Sequence, residues 1–272
     1  MKTLLINAAS LLFSLHLFSQ PFFYPQTQTD FGAVFSNHSA AAFWEQPQVG
    51  ITVNNSFLMK EFCSQAFGLA FPKSYGCFTS TAEYSGFSSY QNLKIGGGYA
   101  KRFFQRWSVG LRFNYHWTGF GKIYGSHHGF SFDAGTFLVC SKALKLGFSV
   151  QNPAHFKLKN NGMAVYYYPL VFSLGMSYDF SKDVSLYFDI QKNIQRPFRF
   201  LPGMQWRFKS CLSLMFLLDI PTFEPYLEFN YEVKGVRFQM YAKYHSQLGA
   251  SMQFSVSYKI KIRNNKSLSP IL

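Results

Sequence analysis

Beyond its N-terminus the sequence lacks any long hydrophobic run, because no stretch approaches the roughly 18 apolar residues that a membrane-spanning helix needs. Charged residues are also few, at 14% of 272 residues, and acidic residues are the scarcest, with 12 Asp and Glu against 26 Lys and Arg. The resulting net charge of +14 would suit nucleic acid. The cations are, however, scattered over turns, loops and polar strand faces, with no basic helix or stacking motif. We therefore predict no nucleic-acid partner.

Cysteine is rare, with four residues in the chain, and their spacing matches no zinc-binding or redox pattern. Cys63 and Cys77 fall on neighbouring predicted strands, but a turn at 72–75 would set Cys77 opposite Phe71. That pair is therefore poorly aligned for a disulfide. We expect free, half-buried thiols, and we leave open the disulfide state of Cys63, Cys77, Cys140 and Cys211.

Recognisable chemistry is the third thing that is missing. Gly96–Gly98 lies inside a predicted strand with no helix after it, so it is no phosphate-binding loop. His127 and His128 are adjacent in a predicted loop and could bind a metal only weakly, which favours a solvated pair. Ser108 and His116 share a strand face but lie roughly 26 Å apart, too far for a nucleophile and its base. We predict no catalytic residue, no cofactor, no metal ion and no enzymatic activity.

Aromatic residues are abundant, at 20% of the chain with 33 Phe and 17 Tyr, and they show the clearest pattern at 106–118. Alternate residues of a strand point to opposite faces, so one face of this stretch is entirely apolar or aromatic. Trp107 and Trp117 on that face lie roughly 33 Å apart along a strand, which a tilt of about 40° reduces to a height of about 25 Å. This height and the aromatic residue at each edge are typical of one strand of a transmembrane β-barrel.

Alternation and turn residues predict an all-β, antiparallel transmembrane barrel of about fourteen strands over residues 47–262. Two short rows are ambiguous, so twelve or sixteen strands remain open. Every second connection is short and contains a lysine, which favours an even strand count with both termini in the periplasm. The predicted strands are 48–57, 62–71, 76–86, 91–100, 106–118, 129–139, 144–151, 168–179, 184–191, 198–207, 211–219, 223–233, 236–245 and 250–262.

The N-terminus has a different character. Lys2 precedes an apolar run of about 15 residues that ends at Ser19, which indicates a secretory signal peptide over 1–19 and export to the outer membrane of a Gram-negative cell. Residues 20–46 are polar and small, without strand alternation, and form either a disordered tether or a plug tucked into the lumen. We favour the plug, with Gly32, Ala40, Ala41, Phe43 and Trp44 as candidate residues. Residues 263–272 form a C-terminal tail.

The polar faces of the predicted strands carry charges of both signs, which should pair across the lumen and keep it narrow. The alternative is an ion-selective pore. The lumen-facing polar residues that we single out are Arg112, Asn114, Asp133, Asp189, Glu228 and Arg237.

Three stretches carry a family resemblance, namely 47–51 (PQVGI), 94–103 (KIGGGYAKRF) and 107–111 (WSVGL). Together with the leader and the small-residue segment, they resemble the PorV/PorQ branch of the FadL-like outer-membrane proteins. The resemblance implies a fourteen-stranded barrel with an N-terminal plug, serving either hydrophobic uptake or the type IX secretion machinery of Bacteroidetes-type bacteria. That family commonly carries Asn-Pro-Ala in the plug, whereas residues 43–47 here read FWEQP. No ligand-binding residue is therefore transferred.

Two functions follow as expectations. The first is a non-catalytic secretion (type IX-like) or surface-assembly component, whose partners would be secretion-system proteins. The alternative is passive transport of hydrophobic small molecules, which exposed apolar residues in the lumen would indicate. A lumenal or surface enzyme is a third, weaker alternative. In each case outer-membrane lipid and lipopolysaccharide would surround the barrel.

Overall fold

The computed structural model describes residues 24–120, 125–154, 157–160, 163–208 and 211–261. The predicted signal peptide (1–19) and C-terminal tail (263–272) lie outside the described residues.

The strands are β1 (Gln48–Asn55), β2 (Cys63–Lys73), β3 (Gly76–Phe87), β4 (Tyr90–Phe103), β5 (Trp107–Gly119), β6 (Ser126–Val139), β7 (Leu144–Gln151), β8 (Lys157–Asn160), β9 (Met163–Tyr167), β10 (Val171–Asp179), β11 (Val184–Asn193), β12 (Phe198–Phe208), β13 (Leu212–Asp219), β14 (Glu224–Val233), β15 (Val236–His245) and β16 (Gly249–Lys259).

Fourteen of these strands form one closed antiparallel barrel, which confirms the predicted fold class. Each barrel strand pairs with the next barrel strand along the chain, and β16 closes the circle on β1. The remaining strands, β8 and β9, form a separate two-stranded sheet within the connection from β7 to β10. This hairpin was not predicted from the sequence, and it lies between the predicted strands 144–151 and 168–179.

The strand at 107–119 shows why the chain closes in this way. Phe113 is 70% exposed on the outside, whereas Arg112 beside it is fully buried on the inside. Similar alternation runs through most of the barrel strands, so apolar side chains cover the outer surface and polar ones fill the interior. A closed sheet leaves no strand edge, which satisfies the backbone hydrogen bonds of a wall that faces apolar surroundings.

Connections differ between the two ends of the barrel. At one end, here called the short-turn end, all six connections span two to four residues. The barrel also begins and ends there, because Gln48 of β1 pairs with Lys259 of β16. The opposite end, here called the long-loop end, has the longest connection, 152–170, and the two 3-10 helices Ser56–Leu58 and Lys60–Phe62. Four of the seven connections at that end are nevertheless as short as those at the short-turn end, namely 88–89, 194–197, 220–223 and 246–248.

Ahead of β1, residues 24–46 form the N-terminal segment, which contains the 3-10 helices Phe31–Val34 and His38–Phe43. Nearly all side chains from Tyr24 to Ala41 are buried. Among the described residues, no helix has the length and apolar character required to cross a membrane.

All four cysteines are free thiols, as expected, but Cys77 is fully buried rather than half-buried. It lies opposite Pro72 and not Phe71, because the turn between β2 and β3 is only two residues long.

The outward apolar surface gives a test of sidedness. We expect Phe113→Arg to lower the free energy of unfolding in lipid by about 2–4 kcal/mol, since an arginine near the bilayer midplane of a barrel is costly on the lipid face. Gln205→Arg, at an inward, half-buried position of β12, is the matched control and should cost far less. Denaturant titrations of both variants in lipid vesicles measure the difference. Equal losses would contradict the assignment of the two faces.

Candidate functional site

The first two strands hold the aromatic centre of the N-terminal segment. Gly50 of β1 and Gly68 of β2 are directly paired, and both face inward against the ring of Phe31. A Cβ atom on Gly50 would lie 2.6 Å from the Phe31 ring, and one on Gly68 would lie 2.7 Å from it. The Phe31 ring also packs edge-on against Phe35, at 5.7 Å between centroids. Because Gly50 and Gly68 have no side chains, they leave a slot in the wall that the ring of Phe31 fills.

Arg112 of β5 forms the central polar contact of the segment. Its Nη1 donates a 2.7 Å hydrogen bond to the backbone carbonyl of Val34, while its Nε and Nη2 donate to Asp133 of β6 at 3.1 and 2.8 Å. Asn114 donates a further bond to the same carboxylate at 2.9 Å. Because the guanidinium and the carboxylate are both buried, each depends on the other for compensation of its charge. The helix Phe31–Val34 is thereby tied to the wall.

The second 3-10 helix is fixed by amide and hydroxyl groups. Asn37 donates from Nδ2 to the carbonyl of Thr136 at 3.0 Å, and its Oδ1 accepts from the Ser39 hydroxyl at 2.6 Å. Ser108 of β5 donates to the carbonyl of Ser39 at 2.8 Å. These bonds attach the segment to backbone and side chains of β5 and β6, so its position does not rest on apolar packing alone.

The portion Tyr24–Asp30 crosses to the opposite wall. The backbone N–H of Gln26 donates to Asp189 of β11 at 3.3 Å, and the side-chain carbonyl of Gln26 accepts from Ser149 at 2.6 Å. Asp30 pairs with Arg237 of β15 at 3.0 Å. Contacts on both sides mean that the segment spans the interior.

Tyr24 joins the seam at which the barrel closes. Its hydroxyl lies 3.0 Å from Thr52 of β1 and 3.1 Å from Ser255 of β16, and those two residues are paired across the seam. Burial raises the pKa of Tyr24 well above its usual range, so the phenol stays neutral. The hydroxyl can therefore act as a neutral hydrogen-bond donor and acceptor at the closure point.

His38 is also neutral in this position. Burial, assisted by the nearby guanidinium of Arg112, lowers the pKa of His38 to about 3. The imidazole lies against Gly110 of β5, where a Cβ atom would come within 2.8 Å of the ring. While the segment is docked, His38 therefore stays neutral, whereas a free imidazole would bind a proton below a pH of about 6.5.

An apolar patch interrupts the polar interior. It consists of inward-facing Leu201 of β12, Met215 and Leu217 of β13, and Tyr226 of β14, each at most 5% exposed, with Tyr187 packed against them. No described residue of the N-terminal segment belongs to this cluster. Gly203 leaves room for it, since a Cβ atom there would lie 2.2 Å from the Leu217 side chain. These four residues are called the inner apolar patch.

Polar groups lie on either side of the inner apolar patch along β12 and β13. Toward the long-loop end, Arg199 pairs with Asp219 and also donates to the Tyr226 hydroxyl at 3.1 Å. Toward the short-turn end, Gln205 and Ser213 line a cavity of about 260 Å³ whose other wall includes residues 27–30 of the N-terminal segment. The patch thus lies between one mouth of the barrel and a cavity at the other.

The structure places the residues singled out from the sequence in four groups. Arg112, Asn114 and Asp133 lie together beneath Val34. Asp189 accepts from Gln26, and Glu228 accepts from Asn230 and from Gln28. Arg237 pairs with Asp30 and with Glu232. Most of the polar groups are thus engaged with the N-terminal segment as well as with each other.

The candidate residues of the segment itself are also in close contact. Ala40 and Ala41 are fully buried, and a side chain on Gly32 would collide with Tyr24. Phe43 packs on Phe137 at 5.6 Å between ring centroids. Trp44 is half-buried, and its indole N–H donates to the carbonyl of Thr29 at 2.9 Å.

Several residues of the site were missed from the sequence, above all Tyr24, Asp30, Asn37 and the inner apolar patch. Two of them had a local signal. Asp30 precedes a short helix and accepts from the N–H of Gly32 at 3.0 Å, as an N-cap does. The run LMFLL at 214–218 lacks the polar alternation of the other strands, and it contains two residues of the patch.

The described residues include no group of three or more His, Cys, Asp or Glu arranged to bind a metal ion. His127 and His128 lie in β6 rather than in a loop as predicted, and a 2.6 Å hydrogen bond joins the Tyr115 hydroxyl and Nδ1 of His128. His116 bonds to Ser131 at 2.7 Å rather than to Ser108.

Comparison with known proteins identifies the architecture. No family model matches the sequence, and no curated protein matches it either. Among solved structures, a FadL homologue from Pseudomonas aeruginosa has a TM-score of 0.63 at 11% identity, covering 88% of this chain and 95% of that chain. The Pseudomonas putida toluene transporter TodX has a TM-score of 0.62 at 11% identity, covering 86% and 95%. CymD, a monoaromatic hydrocarbon channel, has a TM-score of 0.61 at 11% identity, covering 88% and 98%.

These structural neighbours are FadL-family outer-membrane β-barrels, and at such low identity the likeness shows the shared fold. The narrower resemblance to the PorV/PorQ branch stays a prediction from the sequence.

Removing the central arginine should release the N-terminal segment. We expect Arg112→Met to destabilise the protein by about 3–5 kcal/mol, because it leaves the buried Asp133 carboxylate without its cation. Chemical denaturation in detergent measures the loss, and limited chymotrypsin digestion should cleave the segment faster. Arg207→Met is the control, since its pair with Asp179 is partly exposed and should contribute about 0–1 kcal/mol. Equal stability of the two variants would refute this role for Arg112.

Filling the glycine slot should displace Phe31. We expect Gly68→Val to expose the segment to chymotrypsin while the barrel still forms, because the nearest atoms to the new Cβ belong to the Phe31 and Phe35 rings, at 2.7 and 3.0 Å. Gly97→Val is the matched control, since a side chain there meets open space on the outer face. Barrel formation is checked by heat-dependent gel mobility. Protection of the segment in Gly68→Val would show that the slot does not hold it.

Proposed function

We propose that this protein is a passive outer-membrane channel for small hydrophobic molecules. Its fold neighbours include a protein described as a toluene transporter and another described as a monoaromatic hydrocarbon channel, which supports this alternative over the secretion component. In this proposal the barrel lies in the outer membrane, surrounded by its lipid and by lipopolysaccharide, and residues 24–46 act as the plug.

The observation that carries the proposal is the inner apolar patch. This apolar cluster includes no described residue of the N-terminal segment, whereas polar groups of β5 are bonded directly to that segment. Contact with the patch removes the apolar surface of a solute from water, which contributes about 25 cal/mol per Å². The patch is at most 5% exposed in the conformation described, so it offers a hydrophobic molecule this favourable position only when its side chains move apart.

The route follows from what lies next to the patch. A solute entering at the long-loop end passes the Arg199–Asp219 pair, reaches Leu201 and Leu217, and leaves through the cavity beside Gln205. In the conformation described, these leucines are buried, so passage requires a shift of side chains or of residues 27–30, which form a wall of the cavity. The plug thus controls the exit side of the route.

No enzymatic step is needed for this function, and none is proposed. The secretion component stays a prediction, since no contact among the described residues favours it.

The proposal is tested at Leu217. We expect Leu217→Asn to lower uptake of toluene into proteoliposomes about fivefold or more, because an unpartnered amide at an apolar site costs about 1–3 kcal/mol. Leu217→Met keeps the size and apolar character and should retain uptake within about twofold. Heat-dependent gel mobility verifies that both variants fold.

Equal uptake by folded Leu217→Asn and wild-type protein would overturn the channel proposal. If surface display of exported proteins failed in a deletion of residues 32–42 while toluene uptake stayed constant, the secretion component would replace it.

A further inference from the structure

Among the residues whose side chains the structure describes, the exposed cations are concentrated at one end of the barrel. Of these described side chains, eight exposed Lys and Arg lie around the short-turn end, against two exposed acidic side chains, Glu45 and Asp183. At the opposite end, among the residues whose side chains the structure describes, the exposed charges are Lys60 and Glu61. The eight cations, here called the cationic rim, are Lys73, Lys101, Arg102, Arg106, Lys142, Lys182, Lys234 and Lys261.

The rim cations differ from the interior cations in whether they form ion pairs. Interior cations such as Arg112, Arg199 and Arg237 all lie in ion pairs with carboxylates. Within the described part of the chain, no carboxylate lies within ion-pair distance of any rim cation. Eight like charges on one rim repel each other, and folding gains nothing from leaving them unpaired. Their arrangement therefore suits an external anionic surface.

Aromatic side chains identify the kind of surface. Phe104 is 88% exposed, Phe180 is 73% exposed and Tyr75 is 57% exposed, and each lies in a short turn beside a rim cation. Lys73 and Lys101 lie over the aromatic rings of Phe71 and Phe103, at 4.8 and 5.7 Å from the ring centroids. Aromatic rings beside long basic side chains are typical of the level of lipid headgroups, where the ring is half in hydrocarbon and the cation reaches water.

We propose that the cationic rim binds the headgroups of anionic phospholipids. The partner chemistry is a phosphodiester anion held at the membrane surface, of which phosphatidylglycerol is an example. Each cation close to such a surface contributes attraction equivalent to about a fivefold change in affinity. This proposal rests on the barrel lying in a membrane, but it does not depend on any transported solute.

Two tryptophans at opposite ends of β5 provide the reporter and its internal control. Trp107 follows Arg106 at the rim, whereas Trp117 lies near the long-loop end of the same outer face. Two variants are made, each with Trp107 or Trp117 as its single tryptophan. Each variant is reconstituted into vesicles that contain brominated phosphatidylglycerol or brominated phosphatidylcholine. Bromine quenches tryptophan fluorescence on contact, so the ratio of quenching reports which lipid lies beside each end.

We expect phosphatidylglycerol to be preferred at Trp107 by about fivefold or more, with no such preference at Trp117. The preference should vanish in 1 M salt, where the screening length falls to about 3 Å. The preference should also vanish in a triple variant that combines Lys101→Gln, Arg106→Gln and Lys142→Gln. These positions lie near Trp107, in turns and at a strand end. Lys60→Gln, at the opposite end, is the matched charge control and should leave the preference unchanged.

Equal quenching by the two lipids at Trp107 would overturn the proposal, as would a preference that survives the triple substitution. An equally strong preference at Trp117 would show that the lipid binds without regard to the rim. Binding of a soluble acidic protein in place of lipid, with no phosphatidylglycerol preference, would also overturn it. Toluene uptake by the triple variant should equal that of wild type, so this proposal and the channel proposal can fail separately.

Discussion

Closure of the sheet is the constraint on which the rest of the molecule depends. Once β16 pairs with β1, every barrel strand has a neighbour on each side, and each residue of the wall points either outward or inward. The outward set can then be almost entirely apolar, because no backbone group on that surface needs water. The inward set must satisfy its polar groups internally, which Arg112 and Asp133 do with each other and with the Val34 carbonyl. The N-terminal segment is therefore part of the electrostatic balance of the interior.

The wall was predictable from the sequence because its signal is local. A period of two residues places Trp107, Phe113 and Trp117 on one face wherever the strand lies, so approximate strand bounds follow from the chain alone. The strand count of about fourteen was less certain, with twelve and sixteen left open, because two short rows could be merged or dropped. The exact ends of the strands were harder to predict from the sequence. The structure extends β4 to Phe103 and begins β6 at Ser126, because pairing with β5 carries both strands beyond the last alternating residue.

The interior was predictable only in part. Mixed charge on the inward faces indicated ion pairs, but which groups meet depends on apposition across the barrel, as between Asp30 and Arg237, more than 200 positions apart in sequence. Small residues before β1 indicated a segment able to approach the wall, yet its fit depends on Gly50 and Gly68, whose alignment is a matter of register. The hairpin β8–β9 was not among the predicted strands, because its strands are only four and five residues long and give a weak alternation signal.

The contacts of Tyr24 at the closure seam have a consequence for assembly. Its hydroxyl meets Thr52 and Ser255, residues from the first and last strands of the barrel, and these come together only when the sheet is complete. The segment is made before any strand, but its full set of bonds cannot exist until the final strand has been added. A segment that is synthesised before every barrel strand can thus complete its contacts only after the barrel has closed.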